Sequence, residues 1–487
     1  MKKFKLPDRR QNLLLANVNL DSVAQVGSAV RIINDFIDDL DTSEMEKRYA
    51  MEIMTGQRPI HPKTILKVAL FAMHNCRFSL RKMEEDLEFN LMYRWLTGDI
   101  RIDHSTLGRF LVANKELISP LFTQVVLTAV AHDLVDFEVL GIDSLKIRAN
   151  ASYKQDKTIV GIEKEEGKLK AKIEELLGAI EREEEFDRTQ VTILEKRKIK
   201  VSLAKEELKE RIKQKSEGKS ESEKANIMKD ETINITDPDA FRMKQRNGEV
   251  NPSYSVTIAV DTKTDIITNY QTNLKDNDAG ALIPAIKGSH ENTGDAHDVA
   301  VADSGFSTLS NLEKLKEIEQ MALIPDKRYE VDKTGDQKAG RFDRSNFEYN
   351  LEKDHYKCPA NFVLPKTTTF QQNGREVFRY ENPSACSSCK FLSECSKGKH
   401  RTISRDSNEQ IKLEMRELLN FTGNQEIYKL RAHSSESPTG HMKHNLKYKI
   451  FMRRRKEKVN MEMGLLCILH ACANILKLGN FLKPCFI

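Results

Sequence analysis

Two short apolar runs, each with one internal aspartate, most restrict which fold and which chemistry this chain can have. They are residues 137–144 (FEVLGIDS) and 298–305 (DVAVADSG). Small and β-branched residues in runs of this length predict buried strands. We expect each strand to present its aspartate, Asp143 or Asp303, at its C-terminal end just before a turn. Carboxylates that meet at a sheet edge can hold two divalent cations about 4 Å apart, as in-line attack on a phosphodiester requires. The runs therefore predict a metal-dependent phosphoryl-transfer site.

Length and composition leave the class of partner open. A chain of 487 residues is too long for one simple core, so we expect two to four domains or sizeable insertions. Charged residues make up 31% and apolar residues 39%, which is typical of a globular protein rich in charged helices. The 78 basic and 73 acidic residues give a net charge of +5, which is too small to indicate nucleic acid without regard to its distribution.

Targeting and redox signals favour a cytoplasmic protein. No apolar run follows Met1, and the most apolar tract, residues 464–478, is too short to span a bilayer and contains polar side chains. We therefore expect no membrane partner. Eight cysteines without a secretory signal indicate reduced thiols or a metal site rather than disulfides.

Residues 1–135 have the pattern of a helical region. The segment 63–76 predicts a buried helix, Ser79 caps a second, and the polar residues 103–106 precede a third. Short helices joined by tight polar turns are similar to a helix-turn-helix array, which would place Ser105, Thr106 and Arg109 near a DNA major groove. The alternative is a helical packing domain without DNA contact.

A Lys- and Glu-rich segment, residues 156–230, interrupts the globular pattern that begins at 136–155. Its apolar residues recur at multiples of seven, with a break near residue 187, as in a coiled coil: Ile173, Ile180, Leu194, Val201 and Leu208. This register predicts an inserted helical hairpin or one long interrupted helix, used for reach or subunit contact. A solvated charged helix without a partner is equally compatible with it.

The globular pattern resumes over residues 231–335. Two strands form a predicted hairpin, followed by a helix, the second aspartate strand, another helix and a further strand. This order predicts a mixed sheet with helices on its faces, hence an α/β fold. Residues 336–405 are a polar interruption, and residues 406–487 return to the core with a third candidate acid, Glu436, and basic helices.

A cysteine cluster lies in that polar interruption. Cys386, Cys389 and Cys395 form a C-x₂-C-x₅-C pattern, and Cys358 lies 28 residues upstream. Four thiolates in two arms suit a closed, structural Zn²⁺ site. His400 is a substitute ligand, and reduced surface thiols are the alternative interpretation.

A third carboxylate and a basic segment follow near residue 436. Pro438 fits the first turn of a helix, so we expect Glu436 just before a helix N-terminus, where the dipole would keep the carboxylate ionised. Lys443 would lie on the same face and meet a phosphate. Residues 441–458 contain eight Lys or Arg and a single Glu. Arg453, Arg454 and Arg455 of this segment are candidates to bind DNA backbone, unless they form only a solvated face.

Several phrases together resemble a family. These are residues 141–144 (GIDS) through 149–151 (ANA), 236–240 (TDPDA), 259–261 (AVD), 302–306 (ADSGF) and the tail 428–478. They look like a DDE-type bacterial insertion-sequence transposase, and the resemblance extends from about residue 55 to residue 487. It implies an RNase H-like catalytic core related to retroviral integrases, with an N-terminal helical DNA-binding domain, a coiled-coil insertion and a Cys-rich insertion.

The resemblance also implies the site and its partners. Asp143, Asp303 and Glu436 would be the catalytic triad, holding two Mg²⁺ or Mn²⁺ ions, and Glu462 is a weaker candidate for the third acid. Tyr428, Arg431, Glu436 and Lys443 resemble the Tyr-Arg-Glu-Lys signature of the family, with one extra residue between Arg431 and Glu436.

By the same resemblance the partner would be double-stranded DNA, both terminal inverted repeats and target, bound by a homodimer in the bacterial nucleoid. Two other functions remain open. One is a DNA-binding regulator derived from a transposase, and the other is a metal-dependent nuclease without strand transfer.

Overall fold

A computed structural model describes residues 12–13, 18–51, 58–181, 188–245, 248–273, 279–326, 329, 340–372 and 374–479. The chain has a mixed α/β fold. Its N-terminal helices and a six-stranded mixed sheet share one core, and a helical hairpin and a second, five-stranded sheet extend from it.

The N-terminal region is helical. After a short hairpin of β1 (Asn12–Leu13) and β2 (Val18–Asn19), it contains α1 (Leu20–Val23), α2 (Ala29–Asp39), α3 (Ser43–Met51), α4 (Pro62–His74), α5 (Leu80–Phe89), α6 (Leu91–Thr97), α7 (His104–Ala113) and α8 (Ile118–Ala131). Proline at the first position favours the start of α4, and Gly98 in a left-handed conformation ends α6. Trp95 is buried in the core.

The central sheet is built around β3 (Val139–Arg148). Next along the chain come the short pair β4 (Asp156–Lys157) and β5 (Ile233–Asn234), then β6 (Phe241–Lys244), β7 (Val250–Asp261), β8 (Ile267–Thr272), β9 (Val299–Ala302) and β10 (Met321–Leu323). The strand order is β10-β9-β3-β7-β6, with β8 also paired to β7. Strands β9 and β10 run parallel to β3 and β7 runs antiparallel to it, so the sheet is mixed as predicted.

The prediction that β3 ends at Asp143 is wrong. The strand continues for five residues, because Leu145 and Ile147 extend the alternation of buried side chains and Arg148 still pairs with Ser253. Asp303, in contrast, directly follows the last residue of β9 and caps a 3₁₀ turn, as expected.

The Lys- and Glu-rich segment forms helices α9 (Ile159–Glu181), α10 (Arg188–Ser216) and α11 (Glu221–Asp230). Helices α9 and α10 pack against each other as a hairpin through Leu169, Val201 and Leu208. Of the heptad residues, Ile173 is also buried and Leu194 is partly buried, while the side chain of Ile180 lies outside the described residues.

The cysteine-containing region forms a second sheet that the sequence did not predict. Its antiparallel strands are β11 (Glu348–Asn350), β12 (His355–Lys357), β13 (Val363–Gln372), β14 (Arg375–Glu381) and β15 (Thr402–Asp406), with short helices α14 (Pro383–Ser387) and α15 (Leu392–Cys395) before the last strand. Only Leu364 of the ten residues of β13 is buried, so this strand lacks the alternation that identifies one.

Helices on both faces bury the central sheet. After the second sheet come α16 (Gln410–Asn420), α17 (Thr422–Lys429), α18 (Arg431–Gly440), a π-helical turn (His441–Asn445) and α19 (Lys456–Gly479). One face packs on the two helices between β8 and β10, α12 (Leu282–Thr293) and α13 (Leu309–Glu317). The other face packs on the N-terminal helices and α16 to α19.

Hydropathy gives one further observation. Among the described residues no single helix is long and apolar enough to cross a membrane. Two consecutive helical segments with a bend between them, His104–Ala113 and Lys115–Ala131, reach that length and hydropathy only when they are taken together.

Candidate active site

Asp143 and Asp303 lie next to each other on one face of the sheet. The parallel register of β3 and β9 places Ile142 opposite Ala302, so the next residue on each strand is an aspartate. Val301 of β9 and Val139 of β3 are buried on the same face of the sheet. Asp303 keeps an extended backbone, so by the alternation of side chains along the strand it lies on that face too. Neighbouring strands lie about 4.8 Å apart, and both carboxylates can therefore reach one cation.

The turn after β9 orients the second carboxylate. Asp303 Oδ1 accepts a hydrogen bond of 2.8 Å from the Gly305 backbone N–H, while Oδ2 has no partner among the described residues. A Cβ at Gly305 would lie 2.9 Å from Oδ1, so the close turn requires glycine. Asp303 is half-buried, with one oxygen anchored and the other available as a ligand.

Glu436 is not at a helix N-terminus, so that prediction is wrong. Helix α18 begins at Arg431 and contains Pro438 in its interior, which places Glu436 in mid-helix and removes the argument from the dipole. The proline interrupts the α-helical bonding, and a π-helical turn follows within three residues. Helix α18 packs on β3, and the Ser437 hydroxyl donates to Asp265 Oδ2 at 2.8 Å, which ties the helix to the β7–β8 turn.

The structure does not bring all three acids together. Glu436 is solvent-exposed, and no group of three or more His, Cys, Asp or Glu side chains is arranged to hold a metal ion within the part of the chain that the structure describes. The aspartate pair is therefore formed by the sheet, while Glu436 lies on a helix that contacts the strand of Asp143.

Glu462, the weaker candidate, has a structural role. Its carboxylate is fully buried and accepts hydrogen bonds from the backbone N–H groups of Met452 and Arg453 at 2.9–3.2 Å. Burial raises the pKa of Glu462 against the effect of Arg453 and these hydrogen bonds. The side chain holds the loop before α19.

Asp237 and Asp239 anchor the basic segment. Asp237 is buried and accepts hydrogen bonds from the Tyr254 hydroxyl at 2.8 Å and the Arg455 N–H at 2.9 Å, and burial raises its pKa. Asp239 lies 3.3 Å from the Arg455 guanidinium, which also pairs with Glu207 of α10 at 2.8 Å. The structure thus gives Arg455 partners within the protein.

The other basic candidates differ in exposure. Arg454 is exposed and donates to the Asn150 carbonyl at 2.8 Å, and Arg453 is half-buried. Asn150, a residue that the sequence did not single out, also donates to the Met452 carbonyl at 2.9 Å. These bonds hold the loop before α19, which contains Arg453, Arg454 and Arg455 and is called the basic loop below, against the end of β3.

The other residues of the Tyr-Arg-Glu-Lys signature lie just before, at the start of and just after α18. Tyr428 packs near Val301 in the cluster under β9, and the Arg431 guanidinium lies 5.8 Å from the centroid of its ring. Lys443 is half-buried in the π-helical turn. Tyr428 and Arg431 therefore lie beside the strand that precedes Asp303.

The N-terminal candidates share helix α7. The Thr106 backbone and hydroxyl donate to Asp103 at 2.8 and 2.7 Å, so Thr106 completes the cap of the helix. Ser105 and Arg109 are exposed and lie four residues apart on one helix face.

The four cysteines line one small cavity. Cys358, Cys386, Cys389 and Cys395 all contact a void of about 20 Å³, and the Phe362 N–H donates to Cys358 Sγ at 3.3 Å. Their thiols are not arranged as a metal-holding group among the described residues. His400 instead lies 3.0 Å from Glu381.

Comparison with known proteins identifies two transposase segments. The family described as Transposase domain (DUF772) matches residues 18–112, and the family described as Transposase DDE domain matches residues 357–478. A search of curated proteins gives no match. The first match covers helices α1 to α7, and the second includes the basic loop and Glu436. Together these two matches support an insertion-sequence DDE transposase.

Proposed function

We propose that this transposase cuts DNA at the ends of its element and joins them to a target through Asp143, Asp303 and Glu436. The observation that carries the proposal is the register of β3 and β9, which sets two aspartates side by side on the face that α18 covers. Glu436 is the third acid because its helix contacts β3, whereas the carboxylate of Glu462 is bound to backbone inside the protein.

The donor set suits Mg²⁺ or Mn²⁺. Asp143 and Asp303 offer hard oxygen ligands on neighbouring strands, and Mg²⁺ needs few protein carboxylates because it keeps several waters. When bound, such ions would activate an oxygen nucleophile and stabilise the leaving oxygen of a phosphodiester. The exposed Glu436 would complete the set from α18, while Gly305 fixes the orientation of Asp303.

Several candidate side chains would bind the DNA. Lys443, Arg453 and Arg454 follow Glu436, in the π-helical turn and the loop before α19. We assign them, with Tyr428 and Arg431, to contacts with the DNA backbone. We assign Arg455 to the loop anchor, because two carboxylates already bind it.

The N-terminal helices and a second subunit would complete the assembly. Ser105 and Arg109 would face the major groove from α7, with Thr106 maintaining its N-terminus. Two DNA ends must meet for transposition, so we propose a homodimer on double-stranded DNA that includes the terminal repeats and the target.

The decisive experiment is cleavage of a labelled DNA that carries the ends flanking this gene, with Mg²⁺ or Mn²⁺. We expect Asp143→Asn, Asp303→Asn and Glu436→Gln to abolish nicking and to retain DNA binding. Asp298→Asn is the matched control, because this exposed aspartate lies at the other end of β9 and should leave cleavage unchanged.

The outcomes separate the alternative functions. Binding by the wild type without cleavage would favour a DNA-binding regulator. Cleavage that never joins a 3′-hydroxyl to target DNA would favour a nuclease. Full activity in all three variants would mean that the active site is elsewhere.

We also propose a structural Zn²⁺ in the second sheet. Its support is that four cysteines in two arms contact one cavity of the size of a single small ligand. Metal analysis of the purified chain should give about one zinc per chain, lost in Cys386→Ser/Cys389→Ser. A wild type that contains no zinc would contradict the assignment.

A further inference from the structure

A basic groove lies between α9 and α10, away from the proposed acids. It encloses about 590 Å³, and its charged lining residues are Lys157, Lys164, Lys168, Lys172, Arg197 and Glu165. Five cations therefore face one carboxylate. The Leu169 and Leu194 side chains form its apolar floor.

The charge of this groove does not follow from composition. Helix α9 contains four Lys and six Glu, which alone would predict an acidic helix. In the fold, Glu163 and Glu166 turn to Lys205 of α10, at 3.5 and 2.8 Å. Lys164 and Lys168 have no carboxylate partner among the described residues. Of the other groove cations, Arg197 pairs with Glu165 and Lys172 pairs with Glu175 at 2.9 Å. Lys164 and Lys168 therefore carry the unneutralised charge of the groove.

The spacing of the lysines suits a phosphate backbone. Lys164, Lys168 and Lys172 recur every four residues, so their ammonium groups repeat about every 6 Å along the helix. The lining contains no Asn, Gln or aromatic side chain, and its arginine, Arg197, is paired with Glu165, so none of these groups reads a base edge or stacks on a base. We propose that this groove binds the backbone of double-stranded DNA without regard to sequence, which rests on the proposed function.

The position of the groove sets where on the DNA it would act. Asp156, beside Lys157, lies 3.5 Å from Arg242 of β6, and β6 pairs with the part of β7 that lies opposite Arg148. The groove therefore begins at the Arg148 end of β3, five residues or about 17 Å from Asp143. At 3.4 Å per base pair this is about five base pairs from the cut phosphate.

The test compares two double variants of equal charge. Lys164→Gln/Lys168→Gln removes the unpaired groove cations. Lys170→Gln/Lys200→Gln removes two exposed lysines of the same helices that lie outside the groove. Affinity for the end-containing DNA is measured in EDTA over a series of salt concentrations, and both variants are checked for wild-type helix content by circular dichroism.

We expect the slope of log affinity against log salt to fall by about 2 in the groove variant and to stay near the wild-type value in the control. Hydroxyl-radical footprinting should lose protection about five or more base pairs from the cut, while protection at the cut persists.

The outcomes distinguish this inference from the proposed function. A wild type that does not bind DNA would overturn both. Wild-type binding with an unchanged slope in the groove variant, or with equal losses in both variants, would overturn the groove alone and leave the function of the acids intact.

Discussion

The two candidates for the third acid differ in what their substitution should cost. The buried carboxylate of Glu462 satisfies two backbone N–H groups, and an unsatisfied buried donor costs about 1–3 kcal/mol. Glu462→Ala should therefore lower the free energy of unfolding by about 4 kcal/mol, and Glu462→Gln by about 2 kcal/mol because the amide oxygen can keep one bond. Total stabilities are about 5–15 kcal/mol, so these losses are large.

Urea denaturation without metal measures the difference. Glu457→Gln is the matched control on the same helix, because its exposed carboxylate pairs with Lys115 at 3.1 Å and with no other cation in the described part of the chain. This substitution should cost no more than about 0.5 kcal/mol. Glu436→Gln should be equally mild in stability and should lose cleavage. If Glu462→Gln kept wild-type stability and lost cleavage, while Glu436→Gln still cleaved, the assignment of the third acid would be refuted.

Three further predictions concern packing, pH and the basic loop. Gly464→Ala would drive a Cβ into the Tyr270 hydroxyl and should cost about 1–3 kcal/mol in thermal denaturation, whereas Gly167→Ala, with open space around it in α9, should stabilise by up to about 1 kcal/mol. Burial opposes ionisation of Asp261, but hydrogen bonds outweigh it and lower its pKa to about 2. About 2 kcal/mol of stability should therefore be present above pH 4 and lost as the pH falls towards 2, a dependence that Asp261→Asn should remove in acid denaturation. Arg455→Gln should lower the melting temperature, because its guanidinium joins two carboxylates, and should leave the salt dependence of DNA binding unchanged.

The sequence predicted the elements whose burial is periodic. The β7–β8 hairpin, α4 and β9 with its terminal Asp303 lie where the alternation and caps indicated. The residues after Asp143 were expected to form a turn, yet the strand continues because Leu145 and Ile147 keep one of its faces buried. Alternation on one face was the signal that could have extended β3.

Other features depend on contacts that no local pattern reports. Proline is a good first residue of a helix, but packing of α18 on β3 keeps Pro438 in a helix interior. The sequence did not indicate the basic groove because α9 is acidic in composition, and its charges separate only through ion pairs formed in the fold, such as that of Glu166 with Lys205 of α10. The exposed strands of the second sheet lack periodicity altogether.

The position of α19 determines at which stage of synthesis the core can form. Its residues from Val459 to Cys472 are almost entirely buried against α4, α8 and β8, which lie about 190 to 400 residues earlier in the chain. A ribosome-bound chain without α19 would expose the core shared by the sheet and the N-terminal helices, so this core must form late in synthesis. A chain that lacks α19 would still contain Glu436 but would lack the stable core on which the helix of Glu436 packs, so we expect the proposed cleavage activity only after α19 has been made.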